Sequence, residues 1–94
     1  MGEGEALPTI LRVEPVALRV WVEGKMVFME LTDGRVFGFS SDRSRRLKVA
    51  TEEQLSAVTV SVMGRALRWE AIDEDIRVGA VVDGFFELPM GEVA

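Results

Sequence analysis

The pair Asp33-Gly34 constrains the fold of this chain more than any other short segment. It lies within KMVFMELTDGRVFGF, residues 25–39, between two runs of apolar and aromatic residues. An Asp-Gly pair in that setting predicts a β-hairpin with a two-residue turn, in which Leu31 pairs with Val36. Both faces of the hairpin would be largely apolar, so we expect it to be covered on both sides or to lie at an interface. The predicted faces carry Val27, Met29, Leu31 and Val36 on one side, and Met26, Phe28, Phe37 and Phe39 on the other.

Further strands are predicted on either side of this hairpin. A turn at Glu23-Gly24 joins it to a strand that ends near Val22, which completes a three-stranded antiparallel meander. Later in the chain, residues 58–62 read VTVSV, an alternation that places the valines at 58, 60 and 62 on one face of a strand. A turn at residues 63–65 then leads to a strand in which Leu67 and Trp69 share a face. These segments predict a second hairpin.

Helical signals lie between the two hairpins. The segment SSDRSRRLKVA, residues 40–50, starts with capping residues and predicts a short helix from about residue 42 to 49. Thr51 and Gln54 have the spacing of a capping box, which predicts a second helix from Glu52 to about Ser56. The two segments form either a pair of helices or one helix kinked near residue 50. The residues expected to point inward are Leu47, Val49, Ala50 and Leu55.

The predicted fold class is therefore α+β, a small antiparallel sheet (meander plus second hairpin) with one or two short helices between them. The 94 residues allow one domain, in which roughly 60–65% of the unfolded chain's surface is buried. We expect a flexible N-terminus over residues 1–9, one domain over 10–84, and an apolar C-terminal tail over 85–94. For residues 76–82, periodicity does not distinguish a last strand from a short helix.

The composition excludes several classes of function. The chain contains no Cys, His or Tyr, which removes disulfides, thiol nucleophiles, Cys/His zinc sites and the commonest general base. A net charge of −5 argues against a protein that binds nucleic acids in general through their phosphates. No apolar run approaches the ~18 residues that span a bilayer, and no signal peptide is evident, so we expect a cytoplasmic protein. Abundant Arg and missing Asn fit a thermophile, although a GC-rich genome would produce the same bias.

The second hairpin leads into Trp69-Glu-Ala-Ile-Asp-Glu-Asp-Ile76, a tryptophan followed by three consecutive acids between two isoleucines. With the Asp33-Gly34 turn and the helical segment around Arg46–Glu53, this segment resembles domain-of-unknown-function family 2442. The resemblance covers roughly residues 15–84 and implies a small α+β domain with no established enzymatic activity. It also implies pairing with the product of a neighbouring gene, as in toxin–antitoxin systems. This sequence departs from the family pattern at Ser44-Arg45, where an aromatic-Pro pair is common, and at Arg68-Trp69-Glu70, where His-Trp-Pro is common. The matching residues are Asp33, Gly34, Arg46, Leu47, Ala50, Thr51, Glu52, Glu53, Gly64, Leu67, Trp69, Ile72, Asp73, Glu74, Asp75, Ile76 and Val78.

The acidic run Asp73-Glu74-Asp75 is the first candidate site. Consecutive carboxylates repel one another unless they are solvated, lie at a helix N-terminus or hold a cation. The favoured interpretation is structural: Asp73 caps a helix, and the other two acids occupy its first turn, where the dipole favours anions by ~0.3–1 kcal/mol each. Contact with a basic partner and a Mg²⁺ or Ca²⁺ site remain as alternatives. In a strand, the two aspartates would share one face and Glu74 the other, which disfavours a metal site.

Trp69, four residues before the acids, is expected in the core because it shares a strand face with Leu67. The alternative is an interface anchor, a role in which Trp is over-represented. Trp21 has the same two interpretations.

A basic patch is predicted from four cations within six residues: Arg43, Arg45, Arg46 and Lys48. A solvated helix surface is the favoured interpretation. The alternatives are contact with an acidic surface, which includes Asp73–Asp75 of a neighbouring copy, and contact with nucleic-acid phosphates.

The apolar tail is the last candidate. Burial of each large apolar side chain stabilises by ~1.5–3 kcal/mol, so the tail is expected to pack on its own domain or on another chain. We predict a homodimer in which Phe85, Phe86 and Leu88 are contact residues, and Met90 belongs to the same apolar group.

Together these observations predict a non-enzymatic interaction or regulatory module that binds a basic protein partner through Trp69, Asp73, Glu74 and Asp75. No cofactor and no membrane association are predicted. The competing hypothesis is a small ligand- or divalent-cation-binding domain, or an enzyme, that uses carboxylates. The geometry of the acids separates the two hypotheses, because only the second requires several acids to converge on one concavity.

Overall fold

Two three-stranded antiparallel sheets, connected by short helices, form the structure, a computed structural model that describes residues 14–88. The α+β class and the meander are confirmed, and the second hairpin gains a third strand. Residues 1–13 and 89–94, and with them Met90, lie outside the described residues. The elements are β1 (Ala17–Glu23), β2 (Met26–Leu31), β3 (Val36–Ser40), a 3₁₀ turn (Ser41–Arg43), α1 (Arg45–Lys48), α2 (Glu52–Ser56), β4 (Thr59–Ser61), β5 (Ala66–Trp69), a 3₁₀ turn (Glu70–Ile72), β6 (Glu74–Arg77) and α3 (Val78–Asp83).

The β2–β3 hairpin forms at the predicted place, but its predicted register is wrong by one residue. Met29 pairs with Phe37, and the Leu31 N–H donates to the Arg35 carbonyl at 2.8 Å. The loop therefore has three residues rather than two, with Gly34 at φ +94°, a left-handed conformation that glycine adopts without steric cost. A slip of one residue moves every β3 side chain to the opposite face. Phe37 and Phe39 thus face the core with Met29, and Val36 is exposed.

Aromatic side chains shield the outer face of this first sheet. Trp21, Phe28 and Gly38 are direct cross-strand neighbours, and the Phe28 ring lies over Gly38, where a Cβ would approach it to 2.6 Å. The Trp21 ring stacks on Phe28 with centroids 5.7 Å apart. The Arg19 guanidinium lies 4.5 Å from the Trp21 centroid. Trp21 is consequently half-buried among its own neighbours rather than in the core.

The helical connection is a pair of short helices, one of the two predicted alternatives. The Ser44 hydroxyl accepts from the Leu47 N–H at 3.4 Å and begins α1. The predicted capping box is confirmed at α2, where the side chains of Thr51 and Gln54 each accept from the other residue's N–H. Leu47 and Leu55 are buried as expected, but the inward placement of Val49 is wrong. Val49 ends α1, so its side chain is exposed where the chain leaves the helix.

Within the second sheet, the strand order is β4-β5-β6. Val62 lies in the turn after β4 at φ +52° and is exposed, so its predicted place on the Val58 and Val60 face is wrong. The predicted helix cap at Asp73 is also wrong, because Asp73 ends a 3₁₀ turn at φ +52° and the next residues extend into β6. Residues 76–82, for which both a strand and a helix were possible, contain both: the strand β6 ends at Arg77 and the helix α3 begins at Val78.

One hydrophobic core is shared by both sheets and the helices. Trp69 is 1% exposed, as its shared face with Leu67 predicts, and its indole N–H donates to the Leu55 carbonyl at 3.0 Å. This bond satisfies both a buried donor and a carbonyl at the end of α2. The buried apolar residues of the core are Ala17, Val27, Met29, Leu31, Phe39, Leu47, Leu55, Leu67, Trp69, Val78 and Val81. Among residues 14–88, no helix has the length and apolarity to cross a bilayer.

The turn at Gly64 joins the two sheets. The Ala17 N–H donates to the Gly64 carbonyl at 2.7 Å. Gly64 is buried at φ +87°, and a Cβ there would lie 2.5 Å from Val16 Cγ1 and 3.0 Å from the Ala17 carbonyl oxygen. Both the backbone conformation and the close approach of β1 therefore require glycine.

We expect Gly64→Ala to lower the free energy of unfolding by about 2–3 kcal/mol, since it adds backbone strain to a clash with β1. For a domain of this size, that corresponds to a Tm lower by about 10–20 °C. Gly24→Ala is the matched control, because Gly24 has φ +63° but no atom within 4 Å of the added Cβ. Thermal unfolding of both variants would contradict this account if their losses were equal.

A second prediction concerns the Asp33 carboxylate in the β2–β3 loop. Its pKa is lowered below the usual 3.8, first by the hydrogen bond from the Arg35 backbone N–H and then by the Arg35 side chain. Because the folded pKa lies below the unfolded one, Asp33 stabilises the fold above pH 3.8, and this contribution is lost as the pH falls through the folded pKa. An NMR titration should give a midpoint below 3.8. Arg35→Ala should raise the pKa of Asp33 but leave the largest lowering cause in place, since the backbone N–H remains.

Candidate functional site

The exposed acids lie at one end of the second sheet, on the face opposite the core. Arg68 on β5 pairs directly across the ladder with Asp75 on β6, so their side chains leave the sheet on the same face. Glu70 follows two residues after Arg68 at the start of the 3₁₀ turn, and Asp73 ends that turn. The turn thus returns the chain so that all three acids surround one arginine.

Arg68 binds the three carboxylates with its three guanidinium nitrogens. Nε lies 3.2 Å from Glu70 Oε1, Nη2 lies 3.0 Å from Asp73 Oδ1, and Nη1 lies 2.8 Å from Asp75 Oδ2. The hydrogen bonds to Glu70 and Asp73 are the main reasons that the pKa of Arg68 is raised. These four residues are called the Arg68 cluster below. The Arg68 side chain is 23% exposed, and the side chains of Glu70, Asp73 and Asp75 are 86%, 81% and 56% exposed.

Arg46, a member of the predicted basic patch, reaches the same place from α1. Its Nη1 donates to the carbonyls of Ile72 and Asp73, and lies 3.9 Å from Asp73 Oδ2. These bonds hold the 3₁₀ turn and the left-handed Asp73 against the helix. One residue of the basic segment therefore contacts Asp73 within the same chain, whereas the alternative considered from the sequence was a contact with a neighbouring copy.

Glu74 and Trp69 point away from the cluster. Glu74 is half-buried on the opposite face, where its Oε2 accepts a hydrogen bond from the Ser44 hydroxyl at 2.8 Å. Trp69 is in the core. Of the four residues predicted to contact a partner, only Asp73 and Asp75 are presented outward. Trp69 and Glu74 do not belong to the candidate surface, because Trp69 is buried and Glu74 points to the opposite face.

Arg68 is the residue of this cluster that was not predicted as a candidate from the sequence. The sequence did contain one signal: Arg68 and Glu70 are two residues apart, and alternate residues of an extended segment lie on the same face. The cross-strand pairing of Arg68 with Asp75 was the missing element, because the sequence did not define β6 as a strand.

Among residues 14–88, no group of three acids is placed to hold a metal ion. The three carboxylates of the Arg68 cluster converge on a guanidinium, which occupies the position that a cation would take. The acids of the Arg68 cluster therefore surround an internal counter-charge.

Two further residues of the basic patch, Arg43 and Arg45, bind the C-terminal segment. The Arg43 guanidinium lies 4.4 Å from the centroid of the Phe86 ring, and its Nε donates to the Leu88 carbonyl at 3.1 Å. Arg45 forms an ion pair of 3.4 Å with Glu87 and donates its backbone N–H to the same carboxylate. Lys48 is exposed at the end of α1. The four cations therefore do not form one solvated patch.

The described part of the tail, residues 85–88, folds back on its own domain, one of the two predicted outcomes. Phe86 packs on Phe39 with ring centroids 5.3 Å apart, and the Leu88 N–H donates to the Arg43 carbonyl at 3.0 Å. Phe85 remains 73% exposed. Of the three predicted contacts between chains, Phe85 is therefore the one most available to another molecule.

Comparison with known proteins agrees with this architecture. Residues 17–87 match the model of a family described as a protein of unknown function, DUF2442. The chain belongs to this family. A crystal structure of a protein of unknown function from Rhodospirillum rubrum ATCC 11170 is similar to this DUF2442 domain, with a TM-score of 0.74 and 29% identity over 79% of this chain and 92% of that one. A search of the curated proteins finds no match.

The shared guanidinium generates a prediction about salt. In Arg68→Gln, three carboxylates would repel one another, so we expect a lower Tm than in the wild type at low ionic strength. Added NaCl should raise the Tm of the variant relative to the wild type, because salt screens repulsion in the variant and attraction in the wild type. Thermal unfolding followed by circular dichroism at low and high salt measures both responses.

Arg45→Gln provides the control for this measurement, because the Arg45 guanidinium forms an ion pair with the single carboxylate of Glu87. Its response to salt should differ from that of the wild type by much less than that of Arg68→Gln, because one ion pair is lost and no group of carboxylates is left to repel. If Arg68→Gln also responded as the wild type does, the Arg68 cluster would have no net repulsion to screen, and the interpretation would be wrong.

Proposed function

We propose that this DUF2442 domain is a non-enzymatic protein-interaction module that binds a basic surface of a protein partner through the Arg68 cluster. The observation that supports this is the ratio of charges: three carboxylates, each more than half exposed, share one partly covered guanidinium. Even with the nearby Arg46, negative charge is in excess at this end of the sheet. Complementary charge on a partner would speed association and select the orientation of docking.

The arrangement is also suited to binding because the acids are already ordered. Arg68 holds each carboxylate by a hydrogen bond or ion pair, and Arg46 holds the turn that carries Asp73. Ordering a side chain at an interface costs about 0.5–1.5 kcal/mol, so prior ordering reduces the cost of binding. A carboxylate has several lone pairs, and one bond to Arg68 leaves acceptor positions for a Lys or Arg of the partner.

The proposed partner is a small basic protein, in an antitoxin-like pairing of the kind that the family resemblance implies. Arg68 and Glu70 stand at the positions where this sequence departs from the family pattern. We therefore propose that the Arg68 cluster determines which partner this particular chain selects, while the fold is common to the family.

The proposal is tested by capture of partners from the lysate of the native organism at low and moderate salt. The tagged wild type should retain a basic protein that is lost as salt rises. The double variant Asp73→Asn and Asp75→Asn should lose this protein already at low salt, because two of the three outward carboxylates are removed.

The matched control is the double variant Glu52→Gln and Glu53→Gln, which removes two exposed carboxylates from α2 at the same change of net charge. Retention by this control and loss by the first variant would support the Arg68 cluster. Equal retention by all three proteins would exclude it as the contact surface. If no protein were retained, thermal shifts with Mg²⁺ and Ca²⁺ would test the competing ligand-binding function.

A further inference from the structure

The outer edge of β6 carries backbone groups that point away from the sheet. The Val78 N–H donates to the Arg65 carbonyl at 2.9 Å, which extends the ladder in which Leu67 pairs with Ile76. Hydrogen-bonded residues alternate along an antiparallel strand, so the backbone groups of Asp75 and Arg77 face outward. Among residues 14–88, no strand pairs with this edge.

A groove of about 330 Å³ runs along this edge. All four residues of β6, Glu74–Arg77, line it, and so do residues 85–87 of the tail. Successive side chains of a strand point to opposite faces, so a groove that touches four in a row follows the strand edge. The edge is closed beyond Asp75, because Arg46 donates to the Asp73 carbonyl. The exposed ring of Phe85 stands beside the open part.

We propose that a second copy of this chain pairs its β6 antiparallel to this edge, about a two-fold axis, with Asp75 opposite the partner's Arg77. Each of the two symmetry-related pairs exchanges both N–H···O bonds, and Ile76 faces the partner's Ile76 between them. The Arg77 carbonyl, which caps α3, has a second lone pair for the Asp75 N–H of the partner subunit.

Charge selects this register over its neighbours. Shifts that retain the outward groups would place Asp75 opposite the partner's Asp75, or Arg77 opposite the partner's Arg77, and like charges directly opposite destabilise a sheet. Only the proposed register places opposite charges across both pairs. Both side chains already have a partner within the chain, since Arg68 binds Asp75 and Glu14 forms an ion pair with Arg77. Each still has exposed surface for a second contact, because Asp75 is 56% and Arg77 65% exposed.

The dimer would be one six-stranded sheet with its two Arg68 clusters on the same face, because a two-fold axis normal to a sheet keeps each face on its own side. The inference does not rest on the proposed function. A dimer that binds no basic partner would support the dimer and contradict the proposed function. A monomer that binds a basic partner would do the reverse.

Sedimentation velocity over a wide range of concentration, with Asp75→Arg and Arg77→Asp, tests the interface. In each variant, two attractive charge pairs become two repulsive ones. From the energies of cross-strand charge pairs, we expect a dissociation constant of the dimer that is about tenfold higher. An equimolar mixture of the two variants should form a heterodimer of near wild-type affinity, since each pair then joins opposite charges. The double variant Asp75→Arg and Arg77→Asp should also dimerise.

Arg77→Pro tests the backbone bond if a charge variant folds poorly. Arg77 has φ −72°, close to the value that proline requires, and its N–H faces the groove rather than the sheet. The two-fold axis removes this bond twice, so relative to Arg77→Ala, which keeps the N–H, we expect dimerisation weaker by about fivefold to a hundredfold.

A wild type that remains monomeric at every concentration overturns the proposal. A dimer whose dissociation constant is unchanged in both charge variants also overturns it, because the chains then meet elsewhere. If the mixture failed to associate although each variant was folded, the register would be wrong.

Discussion

The hydrogen bond from the buried indole of Trp69 to the Leu55 carbonyl is the contact on which the rest of the structure depends. It attaches the last residue of β5 to α2, and so joins the second sheet to the helical connection that follows the first. An indole donor and a carbonyl buried without each other would each carry a desolvation cost of about 1–3 kcal/mol. Removal of this residue would therefore cost both a large apolar contact and a satisfied polar pair.

The same strand builds the surface because its side chains alternate. With Trp69 directed inward, Arg68 must point outward, where it meets Asp75 across the ladder. The 3₁₀ turn that follows Trp69 then returns Asp73 to the same guanidinium. The position of the Arg68 cluster is consequently a result of core packing, and the acids need no separate scaffold to bring them together.

Internal pairing changes how the charges of this chain are interpreted. The two charged segments that the sequence offers as separate contact surfaces bind partly to each other and partly to the tail, through Arg46, Arg43 and Arg45. Among residues 14–88, these internal contacts leave an excess of carboxylate around Arg68 and an unpaired edge at β6. The first is the surface that we propose for a basic partner, and the second is the one that we propose for another copy of this chain.

The local elements could be predicted from the sequence because short-range chemistry determines them. The Asp33-Gly34 hairpin, the Thr51 capping box and the inward direction of Trp69 depend on neighbours within a few residues. Register could not be predicted, since Gly34 accepts either a two- or a three-residue loop, and only the packing of Phe37 and Phe39 in the core selects the latter. The site was decided by tertiary structure for the same reason. Carboxylates at 70, 73 and 75 are evident in the sequence, but whether they cap a helix, hold a metal or surround Arg68 depends on a cross-strand pairing that no local pattern specifies.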